Sequence, residues 1–415
     1  MSSFIYRWSN HKGLIFFIFF ITLAGSFYRG YGVTDNYYAI SQWLVTYESG
    51  FIKRALLGTL FQLEAISNLT GYSVLILFFW ASNFFLILLY LLVGLIMVRM
   101  VSLSHSAIFF IPYFLVGPLL RTQSVYIGYT DQVIMIMGIL VVFCLIHKKN
   151  ITVVALLSLG ILVHEILFIL VAPVIFYFLL IQIGSSIQRN NKIFAIKEAL
   201  WILTIPIIFF AILIGFQELY PSKDRILLYL SDMLARQNPP HYRVDMISEI
   251  YTFTFMDWYA IHKDEAFNRL TAWGGPNGYI SVILLVAALL HGIYFFSEKK
   301  INRKGIVWFA SLFLIGSPLA LHVLVVDHDR VWNIVTWVSF LSIWVFLEKF
   351  RSEFKTSGLL AALFFVLTFF AILFPQARSD VGWSTLIYIY IPILIWYLMW
   401  AISHLSVRDM ASKDD

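Results

Sequence analysis

The sequence predicts an all-α, polytopic membrane protein, and three observations predict it. Of its 415 residues, 60% are hydrophobic and only 13% are charged, about half the charged share of a soluble domain. The apolar residues collect in runs approaching the ~20 residues that a membrane-spanning helix takes. Lysine and arginine fall in short clusters between those runs. Intrinsic disorder needs the opposite composition and is excluded, as is a string of soluble domains. The net charge of +6 forms no basic arm or stripe, so nucleic acid is not an expected partner. The single cysteine, Cys144, permits no intrachain disulfide.

Taken in order, the first apolar run covers 13–27, behind Arg7 and Lys12. It resembles a signal peptide, but Tyr28, Arg29, Gly30 and Tyr31 follow it in place of a small-residue cleavage site, so it is expected to stay as the first helix. Further runs lie at about 72–98, 107–120, 132–146, 151–164, 166–183, 200–216, 278–296, 306–326, 331–347, 358–374 and 382–403. About twelve spans make one integral membrane domain over 1–415, with both termini on one side. If that side is the cytoplasm, the inner segments hold 17 of the 29 basic residues and 7 of the 23 acids, and the outer segments hold 12 and 16. Basic residues prefer the cytoplasmic side, which sets this orientation.

Two outer segments are long, 28–71 and 217–277, and long loops on one face tend to carry function. In the first, Tyr37, Ile40, Trp43, Leu44, Tyr47 and Phe51 recur at helical spacing. An aromatic face of this kind suits a helix lying in the membrane interface, and Leu56, Leu57, Leu60, Phe61 and Leu63 repeat the pattern. The 217–277 loop shows similar stretches at Ile226, Leu227, Tyr229 and Leu230, and at Met246, Ile250, Phe253 and Trp258. Pro239 and Pro240 divide it, and Gly274, Gly275, Pro276, Asn277 and Gly278 turn the chain back.

No soluble-enzyme motif occurs. His164 and Glu165 do not open a zinc-binding HExxH, because Phe168 stands where the second histidine belongs. Candidate residues therefore come from the outer helix ends. Thr34 or Asp35 suits the cap of the interfacial helix, and Asp35 equally suits a general base. Lys53 and Arg54 are adjacent cations on the outer side, suited to lipid headgroups or to a lipid-linked phosphate. Arg121 and Asp131 flank a short loop with Tyr126, Gly128 and Tyr129, and Thr130 or Asp131 is read first as the cap of the next helix. The run ending at His164 has ~15 residues, roughly 22 Å at 1.5 Å per residue, against a ~30 Å hydrocarbon core. His164 and Glu165 are thus expected in a recess below the outer surface, where ionisable groups are functional by default. Asp327, His328, Asp329 and Arg330 form the densest polar junction between two runs, with groups that suit sugar hydroxyls, a phosphate or a cation.

The GFIKRALLG stretch, the His-Glu pair and the DHDR junction, set in this architecture, resemble the GT-C polytopic glycosyltransferases, in particular bacterial and phage serotype-converting O-antigen glucosyltransferases. The resemblance implies a polyprenyl-phosphate sugar donor, a polysaccharide acceptor, membrane lipids as surroundings, and room for a donor-supplying flippase. It implies the bacterial inner membrane, with chemistry at the periplasmic face. Asp35 would take the place of the family's first-loop acid, as base of an inverting transfer. Arg330, Lys53 and Arg54 would face the donor phosphate, and Asp131, His164, Glu165, Asp327 and Asp329 would shape the sugar pocket. The paired acids common in that first loop are absent, so no metal is carried over and no cofactor is expected. A polysaccharide polymerase is the first alternative, since it works on lipid-linked glycans at the same face. A transporter or flippase is the second, although its charges would sit near the midplane of two matching halves.

Overall fold

The computed structural model describes residues 23–24, 37–47, 54–103, 114, 118–125, 127–185, 189–219, 228, 255–263, 310–311, 313–323 and 328–350. Among these residues every regular element is helical and no strand occurs. The helices are α1 (Tyr37–Leu44), α2 (Leu56–Phe61), α3 (Leu63–Thr70), α4 (Val74–Leu103), α5 (Pro118–Val125), α6 (Asp131–Ile146), α7 (Asn150–Val163), α8 (Ile166–Ser185), α9 (Arg189–Leu219), α10 (Phe255–His262) and α11 (His328–Phe350), with a 3-10 helix at Ser317–Val323. The expected runs at 278–296, 358–374 and 382–403, and nearly all of 13–27, lie outside the described residues.

Two of these helices contain stretches long and apolar enough to cross a membrane, Val74–Met100 with 27 residues and Ile196–Leu213 with 18. At 1.5 Å per residue they reach ~40 and ~27 Å, against a ~30 Å hydrocarbon core. Helix α4 shows why its run is apolar all round. Leu86, Leu89, Val93 and Met97 are buried in protein, while Leu75, Phe79, Trp80, Phe84, Ile87, Leu91 and Leu95 are exposed on its other side. Such a bare apolar face suits hydrocarbon, not water.

Helix α11 forms the centre of the packing. It lies against α4, α5, α6, α8 and the 3-10 helix, and Val331 and every residue from 333 to 347 are buried. Around it α6 packs on α4, α7 and α8, and α9 packs on α7 and α8. Arg99 and Glu348 meet near the C-terminal ends of α4 and α11, with Nε donating to Oε1 at 2.8 Å and Nη2 to Oε2 at 3.2 Å. These two helices therefore run the same way. The turn before α6 lies beside the start of α4, since a Cβ on Gly128 would collide with the Phe78 ring, so α6 starts at that same end.

Four expectations need correction. The apolar face of helix α1, expected toward the lipid interface, meets protein instead: Ile40, Trp43 and Leu44 are buried against α2, α3 and α4. A periodic aromatic face fits a protein groove as well as a headgroup layer, and spacing alone cannot separate the two. Helix α5 continues to Val125 where an outer loop was expected from residue 121, because its polar residues Gln123 and Ser124 are buried against neighbouring helices. Helix α9 starts at Arg189, before the apolar run at 200, since Lys, Glu and Ala extend a helix readily outside an apolar span. The run at 306–326 is not one α-helix: it winds into a 3-10 helix at Ser317, where Pro318 has no N–H to give an α-helical turn.

Candidate functional site

Four helix ends and the turns between them meet beside the start of α4. The chain enters α2 through Arg54, which adopts a left-handed conformation at φ 62°, uncommon for a residue with a Cβ. Gly50, which opens the GFIKRALLG stretch, lies outside the described residues. Helix α2 presses on the end of α1 so closely that a Cβ on Gly58 would collide with the Val45 carbonyl. Thr59 fastens the same contact, its Oγ1 accepting the Tyr47 N–H at 2.9 Å and donating to the Ala55 carbonyl at 2.9 Å. From α1, Trp43 donates its indole N–H to the Gly128 carbonyl at 2.6 Å, and Gln42 Oε1 accepts the Thr130 N–H at 3.0 Å. The Trp43 ring packs against Phe61, Phe78 and Phe85, with centroids 5.3, 6.4 and 5.6 Å away. Gly128 suits this turn twice, through its φ of 88° and through the closeness of Phe78.

On the other side of this platform α7 ends after 14 residues. His164 leaves the helix in an extended conformation, its N–H still held by the Gly160 carbonyl at 2.9 Å. Its Nδ1 accepts the Ile166 N–H at 3.2 Å and so satisfies a free donor at the start of α8. The ring is almost fully buried. The same Nδ1 lies 3.2 Å from Glu165 Oε2. A neutral Nδ1 accepts from Ile166 and a protonated one donates to Glu165, and it cannot do both.

Arg54 reaches across 111 positions to Glu165. Its Nε donates to Oε2 at 3.2 Å and its Nη2 to Oε1, a two-point pairing that fixes the guanidinium plane. The side chains are 16% and 28% exposed, so Arg54 turns inward instead of reaching for headgroups. Two of the five guanidinium N–H donors serve Glu165, which leaves three for another anion. Glu165 sits in the link between α7 and α8, outside both helices. Burial works against its ionisation, but the Arg54 charge and then the His164 ring outweigh burial and hold the carboxyl well below the usual range.

The structure thus brings together Arg54, His164 and Glu165 from two of the three sequence motifs. Asp131 is buried in the first turn of α6, next to the Thr130 that Gln42 holds. The Thr130 hydroxyl makes no capping bond, which corrects the Thr130 half of the capping expectation: its backbone N–H is fastened by Gln42 Oε1. Asp329 and Arg330 fall in the first turn of α11, and their side chains lie outside the described residues, as do Asp35, Lys53, Asp327 and the Arg121 side chain. Gln42 and Gln132 carry no signal in the sequence because each sits in an aromatic or apolar stretch that reads as filler, and Trp43 stands out there only as part of an aromatic face. Among the described residues no group of three or more His, Cys, Asp or Glu side chains stands close enough to hold a metal ion. No protein-family model, curated protein or solved structure matches the chain.

Proposed function

We propose that this protein is an inverting membrane glycosyltransferase of the GT-C kind. It moves a sugar, a glucosyl group in the first instance, from a polyprenyl-phosphate donor to a surface polysaccharide such as O-antigen. On this reading the chain crosses a bacterial inner membrane about twelve times, with both termini in the cytoplasm and the described cluster at the periplasmic face. The observation that carries it is the Arg54–Glu165 pairing, which joins two separate sequence motifs in a half-buried corner and leaves guanidinium donors for a phosphate. The common direction of α4, α6 and α11 also supports it, because the twelve-span order runs all three from the outer to the inner side.

The residues then divide the work. Asp35 takes the proton of the acceptor hydroxyl as its oxygen attacks the anomeric carbon from the face opposite the leaving group. The bond to the donor phosphate breaks with its electron pair, and Arg54, Lys53 and Arg330 stabilise the charge that gathers there. Glu165 fixes the plane of Arg54, and His164, Asp131, Asp327 and Asp329 shape the sugar pocket. Membrane vesicles given labelled polyprenyl-phosphate glucose and acceptor glycan test this. The expected result is transfer that falls ~100-fold or more in Arg54→Ala and partly recovers in Arg54→Lys, whose point charge lacks the fork. Gene deletion followed by structural analysis of the surface glycan separates the rivals. Loss of a side-branch sugar at unchanged chain length fits the proposal, single repeat units fit a polymerase, and an intact glycan with a transport defect fits a transporter.

A further inference from the structure

The geometry points to a sugar-reading site between the end of α5 and the start of α11, made by Gln123, Asn333 and Trp337. It rests on the proposed function and names the part of that site that recognises hydroxyls. Gln123 and Trp337 are fully buried and Asn333 is 2% exposed. Neither end of the Gln123 amide, nor Asn333 Oδ1, nor the Trp337 indole N–H meets a hydrogen-bond partner among the described residues. Buried polar groups are nearly always bonded, and an amide left without a partner at both ends is among the costliest exceptions.

The three residues belong to two packed helices and lie toward one end of them. Gln123 is tied to the start of α6, whose Gln132 donates to the Gln123 carbonyl at 2.8 Å, and α6 starts beside the start of α4. Helix α11 runs parallel to α4, so its Asn333 lies toward the same end. Asn333, Trp337 and Phe340 follow one another at helical spacing on one side of α11. The Phe340 ring packs on Trp337 at 5.9 Å and on Phe114, just upstream of α5, at 5.1 Å. That side of α11 therefore turns toward the 114–125 segment, and α5 and α11 are packed together. Together these two packed helices carry an unpartnered amide donor and acceptor, a second acceptor and an indole donor, with aromatic rings beside them. A pyranose matches this set, because each hydroxyl both donates and accepts while the C–H faces of the ring lie against aromatics.

Purified protein in detergent provides the test, with binding of polyprenyl-phosphate glucose and of polyprenyl phosphate measured alongside thermal melting. The wild type is expected to bind the glucosylated lipid at least ~10-fold more tightly. Gln123→Leu and Asn333→Leu are expected to bind both lipids alike, with affinity for the bare phosphate lipid unchanged within about twofold. Without lipid, both variants are expected to melt about 2 °C higher than wild type, since an apolar side chain of similar shape relieves an unpaired buried group. Variants that still discriminate as the wild type does overturn this inference alone. Variants that melt several degrees lower also overturn it, since their amides then had partners within the fold. A wild type that binds neither lipid overturns the proposed function together with the inference.

Discussion

Removal of the Arg54 guanidinium leaves the Glu165 carboxylate half-buried beside a buried imidazole. Arg54→Ala should destabilise the protein by ~2–4 kcal/mol, between an exposed ion pair and a fully buried one, and Arg54→Ala/Glu165→Gln should recover part of that loss. Thermal unfolding of the purified protein measures both. The pH dependence has a definite sign. The Glu165 pKa is depressed in the folded state, so its stabilisation is present above the ordinary carboxylate range and fades as pH falls toward the depressed value. Wild type should therefore lose stability more steeply between about pH 5 and pH 3 than the double variant does. Equal slopes would show that the pairing contributes nothing. At Gly58 the backbone contact with Val45 leaves an added methyl no flexible side chain to displace. Gly58→Ala should cost about 1–3 kcal/mol, read in the same melting assay.

Among the elements, α1 and α11 show most clearly how burial assigns roles. Helix α1 is only 8 residues long, too short to be stable alone. It is held by Trp43 among three phenylalanine rings and by its bond to Gly128. Trp43→Phe keeps most of the ring contact and removes the N–H, so a loss of about 1 kcal/mol is expected. Trp43→Ala should cost ~3–5 kcal/mol and should also disturb the neighbouring Gln42–Thr130 bond. Helix α11 carries Asn333, Thr336, Ser339 and Ser342 at every third position, all buried. Ser339 returns its hydroxyl to the Val335 carbonyl at 2.9 Å, a local solution open to serine in a helix. An amide nitrogen can do the same, as Asn83 does to the Phe79 carbonyl at 2.8 Å, but an amide oxygen cannot donate, and Gln123 Oε1 and Asn333 Oδ1 have no partner among the described residues.

For the whole molecule, the proposed orientation places the α2–α3 segment and the α6–α7 turn on opposite sides. Ser67→Cys should react with a membrane-impermeant maleimide on intact spheroplasts, and Lys149→Cys only after permeabilisation. Cys144 is buried and should stay silent. Reaction of Lys149→Cys on intact spheroplasts would reverse the orientation. Much of the helical layout was legible in the sequence, because long apolar runs bounded by charged or turn residues mark helices: α4, α6, α7, α8 and α11 lie close to their expected runs. The break at His164 was legible for the same reason, where a short run ends in an ionisable pair. What could not be read was which apolar faces meet protein and which meet lipid, since both favour the same residues. That ambiguity turned the apolar face of α1 toward lipid in place of protein and cut α5 short. The Arg54–Glu165 and Arg99–Glu348 pairings were also hidden, because linear spacing says nothing about partners 111 and 249 positions apart.

The shortness of α7 has an electrical consequence. A membrane potential falls across the low-dielectric thickness that it meets, and 14 helical residues span ~21 Å where the hydrocarbon core is ~30 Å. On the proposed orientation, water reaching down to His164 steepens the field there by about half. A phosphate resting in that water-filled recess stays at the outer potential, so a drop of ~100 mV adds almost nothing to the cost of its descent and falls instead across the thin layer beneath it. Energised and de-energised cells would then hold the donor about equally tightly.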